Sequence, residues 1–295
     1  MKLFIIGNGF DIDHGLKTRY TSFKEYLECN FINFGYTLGS NCLKEDCILE
    51  ESANFIYNVL NNTVGDNWCN LEHALGQIDY GELYDPINFD DNDKEIYNTI
   101  WNNQEKMSYY RSLFANLEDL LKDWLFNMLK NEVKIKKKYE NIFEKDALFL
   151  TFNYTDILER VYNVSKYNIC HIHGEISDKI IFGHTNKNKE LLNTSTIGID
   201  NTIDDINNLL FKNCKDNIKQ NKSFFKRMTK VSEIYILGWS ISKEDEAYLN
   251  KIQAIIGKRK IKIYFTEYDK QNNIKELYKK IRKVQIFNIS VIDYI

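Results

Sequence analysis

The sequence predicts an α/β protein built on an open, mostly parallel sheet with helices on both faces. Three observations lead there. Short apolar runs recur along the chain, each ended by glycine or polar residues; helical patterns separate them; and several runs, such as ALFLTF at 147–152, are apolar nearly throughout. A strand with one solvated face alternates apolar and polar side chains, whereas a continuously apolar strand is covered on both faces, as parallel sheets require. Such strands alternating with helices are joined by crossovers.

In chain order, MKLFIIGNGFDIDHGL reads as a buried strand over Lys2 to Ile6, a turn at Gly7-Asn8-Gly9 and then a helix. Glycines reach positive φ and let a ligand approach bare backbone, so successive N–H groups there can face one anion, with phosphate the natural guest. The plainer alternative is a tight strand-to-helix turn. Where the fingerprint of hydride-transfer enzymes has a third small residue, this chain has Ile12 after the charged Asp11, which disfavours that class. Asp11, Asp13 and His14 are polar groups suited to a pocket mouth, with Asp11 alternatively capping the next segment.

Thr18 to Thr21 reads as a loop, and Ser22 with Glu25 as a capping box that opens a helix. From there to about residue 145 the pattern is helical, with apolar stripes at Phe55, Ile56, Val59 and Leu60 and at Leu71, Ala74, Leu75 and Ile78. Residues 85–94 form a polar loop, and Ile96 to about Val133 one long or two shorter helices. The chain therefore reads as one domain over 1–295 carrying a large helical insertion, 22–145, after its first strand–helix unit.

Strands return at Ala147 to Phe152, Tyr167 to Ile172, Lys179 to Phe182, Ile234 to Leu237 and Ile261 to Phe265, with a last edge strand at Val284 to Ile289. Asp156 starts a helix after the first of these, residues 188–230 are polar and helical with a loop, and Ser242 with Asp245 starts another helix. No internal repeat is evident.

Composition sets outer limits. The chain has 295 residues, 43% of them apolar and 14% aromatic, ample for a sizeable core. A net charge of -3 gives no basic footprint, which argues against nucleic acid as the main partner. The six cysteines include no CxxC pair, so a thiolate zinc site is not indicated and no metal is expected. The first residues read as a core strand instead of a signal segment, and no window approaches roughly 18 consecutive apolar residues. The expectation is a reduced, cytoplasmic protein without membrane association.

In open parallel sheets, ligands sit outside the carboxyl ends of the strands. The segments immediately after strands are Gly7-Asn8-Gly9, Asn153-Tyr154-Thr155-Asp156, His173-Gly174, Gly183-His184-Thr185-Asn186, Gly238-Trp239-Ser240 and Thr266-Glu267. All are polar or glycine-bearing. With Asp11 just after the first of them, they supply the candidate cofactor-binding residues Gly7, Asn8, Gly9, Asp11, Asp156, Gly238, Trp239, Ser240 and Glu267. Trp239 alternatively belongs to the core or a lid.

The opening GNGFDIDHGLKTRYTSF, with Trp68 and Leu71-Glu72, resembles the AbiH family of bacterial abortive-infection proteins. TFNYTDILE at 151–159, HIHG at 171–174, IIFGH at 180–184 and LGWSISKEDEAYL at 237–249 resemble sirtuin-like NAD-binding domains of defence proteins, a Rossmann-like architecture. The resemblance runs from residue 1 to about 268. It implies that Gly7, Asn8, Gly9 and Asp11 hold the pyrophosphate of NAD, that Asn153 lies beside the nicotinamide ribose, that His173 is the catalytic histidine, and that Gly238 and Ser240 close over phosphate and ribose. Asn8 and Thr155 depart from the pattern, and the zinc-binding cysteine quartet of deacetylases is missing. That directs the expectation to NAD cleavage instead of protein deacetylation.

The chemistry is consistent with those roles. Breaking the nicotinamide–ribose bond develops positive charge on the sugar and requires a nucleophile that gives up a proton. Histidine titrates near neutral pH and can take that proton. An asparagine amide can orient a ribose hydroxyl or water. His173 is thus the candidate base, Asn153 the positioning group and Glu72 an electrostatic partner of the sugar cation. The expected protein is an anti-phage effector that hydrolyses NAD to ADP-ribose and nicotinamide, with an activating phage or host protein or a homo-oligomeric switch as possible partners. Two alternatives stay open: a non-enzymatic NAD or ADP-ribose sensor, and a metal-dependent hydrolase using His171, His173 and His184. His171 and His173, two apart, are expected on the same face of one strand, with His171 assigned a supporting role by the family pattern.

Overall fold

A computed structural model describes residues 1–32, 44–130, 132–186, 196–257, 259–266 and 288–294. Among these, six strands form one open sheet: β1 (Lys2–Ile6), β2 (Leu148–Thr151), β3 (Ile169–His171), β4 (Glu233–Leu237), β5 (Lys260–Phe265) and β6 (Asn288–Tyr294). Every neighbouring pair is parallel, and the order is β3-β2-β1-β4-β5-β6. From β1 the chain steps outward through β2 to β3, then returns to lay β4 against the other side of β1 and continues through β5 to β6. The direction of winding reverses between β1 and β4, the kind of point at which open α/β sheets place their ligands.

The helices are α1 (Asn8–Asp13), α2 (Tyr20–Leu27), α3 (Lys44–Val64), α4 (Leu71–Leu75), α5 (Asp93–Ala115), α6 (Leu117–Leu129), α7 (Lys137–Glu140), α8 (Ile157–Arg160), α9 (Asp200–Leu209), α10 (Cys214–Gln220), α11 (Lys222–Arg227) and α12 (Glu246–Ile256). The chain divides into two compact units: Met1–Arg19 with Leu125–Ile181 and Asn213–Ile295, and Tyr20–Trp124 with Phe182–Lys212.

The first unit carries the whole sheet. Register pairs Leu3 with Leu148 and Ile234, and Ile5 with Leu150 and Ile236, so residues of one parity share a face. Those side chains pack with Phe224, Phe225, Tyr248, Leu249 and Ile252 from α11 and α12. Residues of the other parity, Phe4, Ile6, Phe149 and Leu237, pack with Phe10, Tyr139, Ile157 and Leu158. Phe4 stacks between Phe149 and Tyr235 at ring-centroid distances of 4.9 and 4.8 Å. Each side chain of this size contributes about 1.5–3 kcal/mol on burial. Both faces of the central strands are thus covered, which is why they read as apolar throughout.

The second unit is helical among its described residues, apart from an isolated bridge between His184 and Phe211. Phe23 and Trp124 approach to 5.4 Å, and the Trp68 indole N–H donates to Asn61 Oδ1 at 2.9 Å. Asn116 separates α5 from α6, which resolves the long pattern after Ile96 into two helices.

Several expected elements differ. α2 begins at Tyr20, so Ser22 lies inside it and makes no capping box. Ser242 precedes a short 3₁₀ turn, Lys243–Asp245, without a side-chain cap bond. The helix after Asp156 is a single turn. Residues 179–182 form no strand: Ile181 N–H donates to the His173 carbonyl at 2.7 Å, tying the segment to the loop after β3. The last strand is Asn288–Tyr294, and residues 284–287 lie outside the described residues.

Candidate functional site

The loops after β1 and β4 meet backbone to backbone. Gly7 N–H donates to the Leu237 carbonyl at 3.0 Å, Gly9 N–H to the Gly238 carbonyl at 2.9 Å, and Phe10 N–H to the Gly7 carbonyl at 2.9 Å. A Cβ on Gly9 would lie 2.7 Å from Gly238 Cα, and one on Gly7 2.6 Å from Trp239 Cα. Gly238 has φ +67°, and a Cβ there would lie 2.5 Å from the Gly9 backbone. These glycines are required by close packing of two loops. Their amides answer protein carbonyls, so the N–H cradle expected for a phosphate at Gly7 and Gly9 is already engaged within the protein. Asn8, beside them, is exposed, and its side chain donates to the Thr18 carbonyl at 2.7 Å.

The loop after β2 is tied to the same place. Asn153 Nδ2 donates to the Gly7 carbonyl at 3.1 Å and to Asp11 Oδ1 at 2.7 Å, while Thr155 Oγ1 donates to Asp11 Oδ2 at 2.8 Å. Asp11 is 2% exposed. Loss of hydration pushes its carboxyl up to about 7, and the two donors only partly offset that. Asp11 does not cap α1, whose N-cap is Gly7. Asn153 therefore joins the β1 and β2 loops through its own amide hydrogens, and Thr155 supplies the hydroxyl that a buried carboxyl needs.

His173 follows β3. Its ring meets Phe152 edge-on at 5.2 Å and lies 5.7 Å from Tyr248, and Nε2 is 3.2 Å from Asp245 Oδ1. Nε2 makes no hydrogen bond, so the carboxylate lies beside it without a formed bond. The other Asp245 oxygen accepts from the Trp239 indole at 3.4 Å. Trp239 stacks on Phe152 at 4.7 Å within the core. It is a wall of the His173 environment, which its other sequence reading, as core, describes. Two residues on, Ile241 has φ +52°, a conformation that costs a β-branched residue on the order of 1–3 kcal/mol. Such strain gathers at functional loops.

His171 takes a different direction from His173, because β3 ends at His171 and the chain turns. Its Nδ1 lies 3.1 Å from the Asn153 carbonyl and its Nε2 2.9 Å from Glu159 Oε1. Burial pulls the imidazolium down, but the hydrogen bond to Glu159 and its charge outweigh it, so the pKa is raised above the usual histidine value. The expected shared face for the two histidines is not found.

The remaining candidates scatter. Ser240 is exposed on the β4 loop. Asp156 lies 3.3 Å from Arg160 on its own helical turn. His14 bonds the Phe10 carbonyl and the Tyr162 hydroxyl, and Asp13 pairs with Lys136 and Lys138. Glu267 lies outside the described residues. Glu72 belongs to the second unit, where the buried Lys212 ammonium donates to its Oε2 at 2.5 Å. His184 belongs to that unit as well.

The first unit thus gathers Gly7, Gly9, Asp11, Asn153, His173, Gly238 and Trp239 at the carboxyl ends of β1, β2, β3 and β4. Asp245 and Glu159 join them without having been singled out from the sequence. Asp245 sits in the post-β4 segment, so the strand-end rule could have found it; its spacing from Ser242 drew the helix-start reading instead.

Residues 3–267 match the sequence model of the family described as Bacteriophage abortive infection AbiH. The chain belongs to the AbiH family. No curated protein and no solved structure matches it. Among the described residues of this AbiH family member, no helix is long and apolar enough to cross a membrane. Family membership carries a role in phage abortive infection, and the chemistry behind that role must be argued from the site.

Proposed function

We propose that this AbiH family member is a defence effector that binds NAD at the carboxyl ends of β1 and β4 and hydrolyses it to ADP-ribose and nicotinamide. The observation that carries the reading is the meeting of loops far apart in the chain: Gly9 on Gly238, Asn153 on Gly7, and Phe152 between Trp239 and His173. They meet where the winding reverses, and the strand order β3-β2-β1-β4-β5-β6 supports the reading, since many dinucleotide-binding sheets share it.

In this reading His173 accepts a proton from water as the water oxygen bonds to C1′ of the nicotinamide ribose. The C1′–N bond breaks with its electron pair leaving on neutral nicotinamide, and one proton is released overall. Asp245, 3.2 Å from Nε2, would accept from Nε2–H as the imidazole becomes a cation and so stabilise it, leaving Nδ1 for the proton transfer. Asn153 holds the β1 loop in place and acts as a positioning residue, not by direct contact with the sugar. Asn8 and Ser240, exposed on the two loops, would face the phosphates. NAD loss would halt the infected cell; this reading expects a cytoplasmic protein with an activating partner or an oligomeric switch.

A second reading, a nucleotide sensor without turnover, draws on the same site, because His173 is only 4% exposed and the Gly7 and Gly9 amides are engaged. Release of nicotinamide from NAD by the purified protein separates the two. The hydrolase reading expects release that falls by roughly two to four orders of magnitude in His173→Ala. Bound, intact NAD with no release selects the sensor, and equal rates in wild type and His173→Ala remove His173 from the mechanism.

A further inference from the structure

We infer that Glu159, His171 and Glu175 form a binding site for a divalent cation of the zinc type at the carboxyl ends of β2 and β3. One ligand atom from each of the three residues lies within 4.8 Å of the others. Neither the histidine trio considered from the sequence nor the NAD reading uses this set.

The imidazole makes the case. Nδ1 of His171 faces the Asn153 carbonyl at 3.1 Å and Nε2 faces a Glu159 carboxylate oxygen at 2.9 Å, so both ring nitrogens look at acceptors. A neutral imidazole carries one N–H. In the metal-free chain both nitrogens donate, as an imidazolium; a cation would replace the Nε2 proton and bind Nε2 and the carboxylate together, with Nδ1–H kept on the carbonyl. A histidine held by a backbone carbonyl on one nitrogen, with a carboxylate beside the other, is also the usual way a metal ligand is oriented.

A second observation points the same way. The other Glu159 oxygen is buried without a hydrogen-bond partner among the described residues, although the side chain is only 12% exposed. Glu175 completes the set from the more open side, its side chain 25% exposed, which gives an ion a way in. Lys166, 3.5 Å from Glu175 and itself 75% exposed, is a weak competitor for that carboxylate. One imidazole and two carboxylates suit zinc and its neighbours, whereas magnesium or calcium would favour all-oxygen sets. Three protein ligands leave a position for water.

The test uses the full chain, stripped with EDTA and titrated with zinc chloride by calorimetry, then with cobalt(II) followed in the visible spectrum. One equivalent should bind, and Glu159→Gln and His171→Ala should each weaken binding by at least about 100-fold, since even outer partners of ligands are worth about 10–100-fold. Glu175→Gln, on a partly exposed side chain, gives the same readout without risk to the core. The cobalt spectrum should lack a thiolate charge-transfer band, which separates this site from the exposed Cys29 and Cys69. No binding to the stripped wild type, unchanged affinity in Glu159→Gln and Glu175→Gln, or a thiolate band would overturn the assignment. In the first case His171 and Glu159 are a buried imidazolium–carboxylate pair.

Discussion

Asp11 gives the sharpest handle on how the β1 and β2 loops are joined. Its carboxyl is raised from 3.8 to about 7 by burial, despite hydrogen bonds from Asn153 and Thr155. An acid raised in the native state binds its proton more tightly folded than unfolded, so the native chain carries more protons between those two values. Stability from this group is therefore fully present below about pH 3.8 and is lost as pH rises through about 7. The interval is about three pH units, and at about 1.4 kcal/mol per unit the loss amounts to about 4 kcal/mol. Asp11→Asn removes the titration while keeping the shape: its carbonyl can accept from Asn153, and the Thr155 hydroxyl can turn to accept from the new amide. Any fixed effect of the substitution cancels when the two proteins are compared across pH. Urea unfolding midpoints of wild type and Asp11→Asn, followed from about pH 4.5 to about pH 8, should diverge by about 3–4 kcal/mol in favour of the variant at the alkaline end. Parallel curves would show that Asp11 is ionised throughout and that its burial is not as described.

Other consequences are as direct. Gly238→Ala must place a Cβ against the Gly9 backbone at φ +67°, and should cost at least about 2 kcal/mol in urea midpoint and abolish nucleotide binding. Lys212→Met removes the ammonium that bonds the Glu72 carboxylate in the second unit, and should cost about 3–5 kcal/mol by thermal unfolding. Adding Glu72→Leu should restore most of that loss, because a buried ion pair replaced by apolar residues of similar size is often close to neutral.

The parallel sheet was legible because burial on both faces leaves a mark that one residue type after another repeats. Lys2 to Ile6, Leu148 to Thr151 and Ile234 to Leu237 needed no partner information to be read as strands. Lys179 to Phe182 carries a similar apolar run, but its backbone hydrogen bonds go to the His173 loop, a decision made by tertiary contact that no local pattern records. The site was legible as a set of strand ends and opaque in its details. Gly7 and Gly9 read equally well as a phosphate cradle or a packing requirement, and only the position of Gly238, more than two hundred residues later, shows which carbonyls their amides answer. Lys212 lies 140 residues from Glu72, so the neutralisation of that carboxylate left no trace near either residue. His171 and His173 obeyed strand periodicity only for as long as the strand lasted, and it stops at His171.

The account turns on a nucleotide lying over the β1 and β4 loops with its scissile bond beside His173. A crystal structure of the His173→Ala variant grown with NAD tests this most directly. The account predicts intact dinucleotide with its nicotinamide ribose beside Asp245, within about 4 Å of the space the imidazole filled. Crystals soaked to saturation that show no nucleotide over those loops, or show it bound elsewhere on the chain, would contradict it.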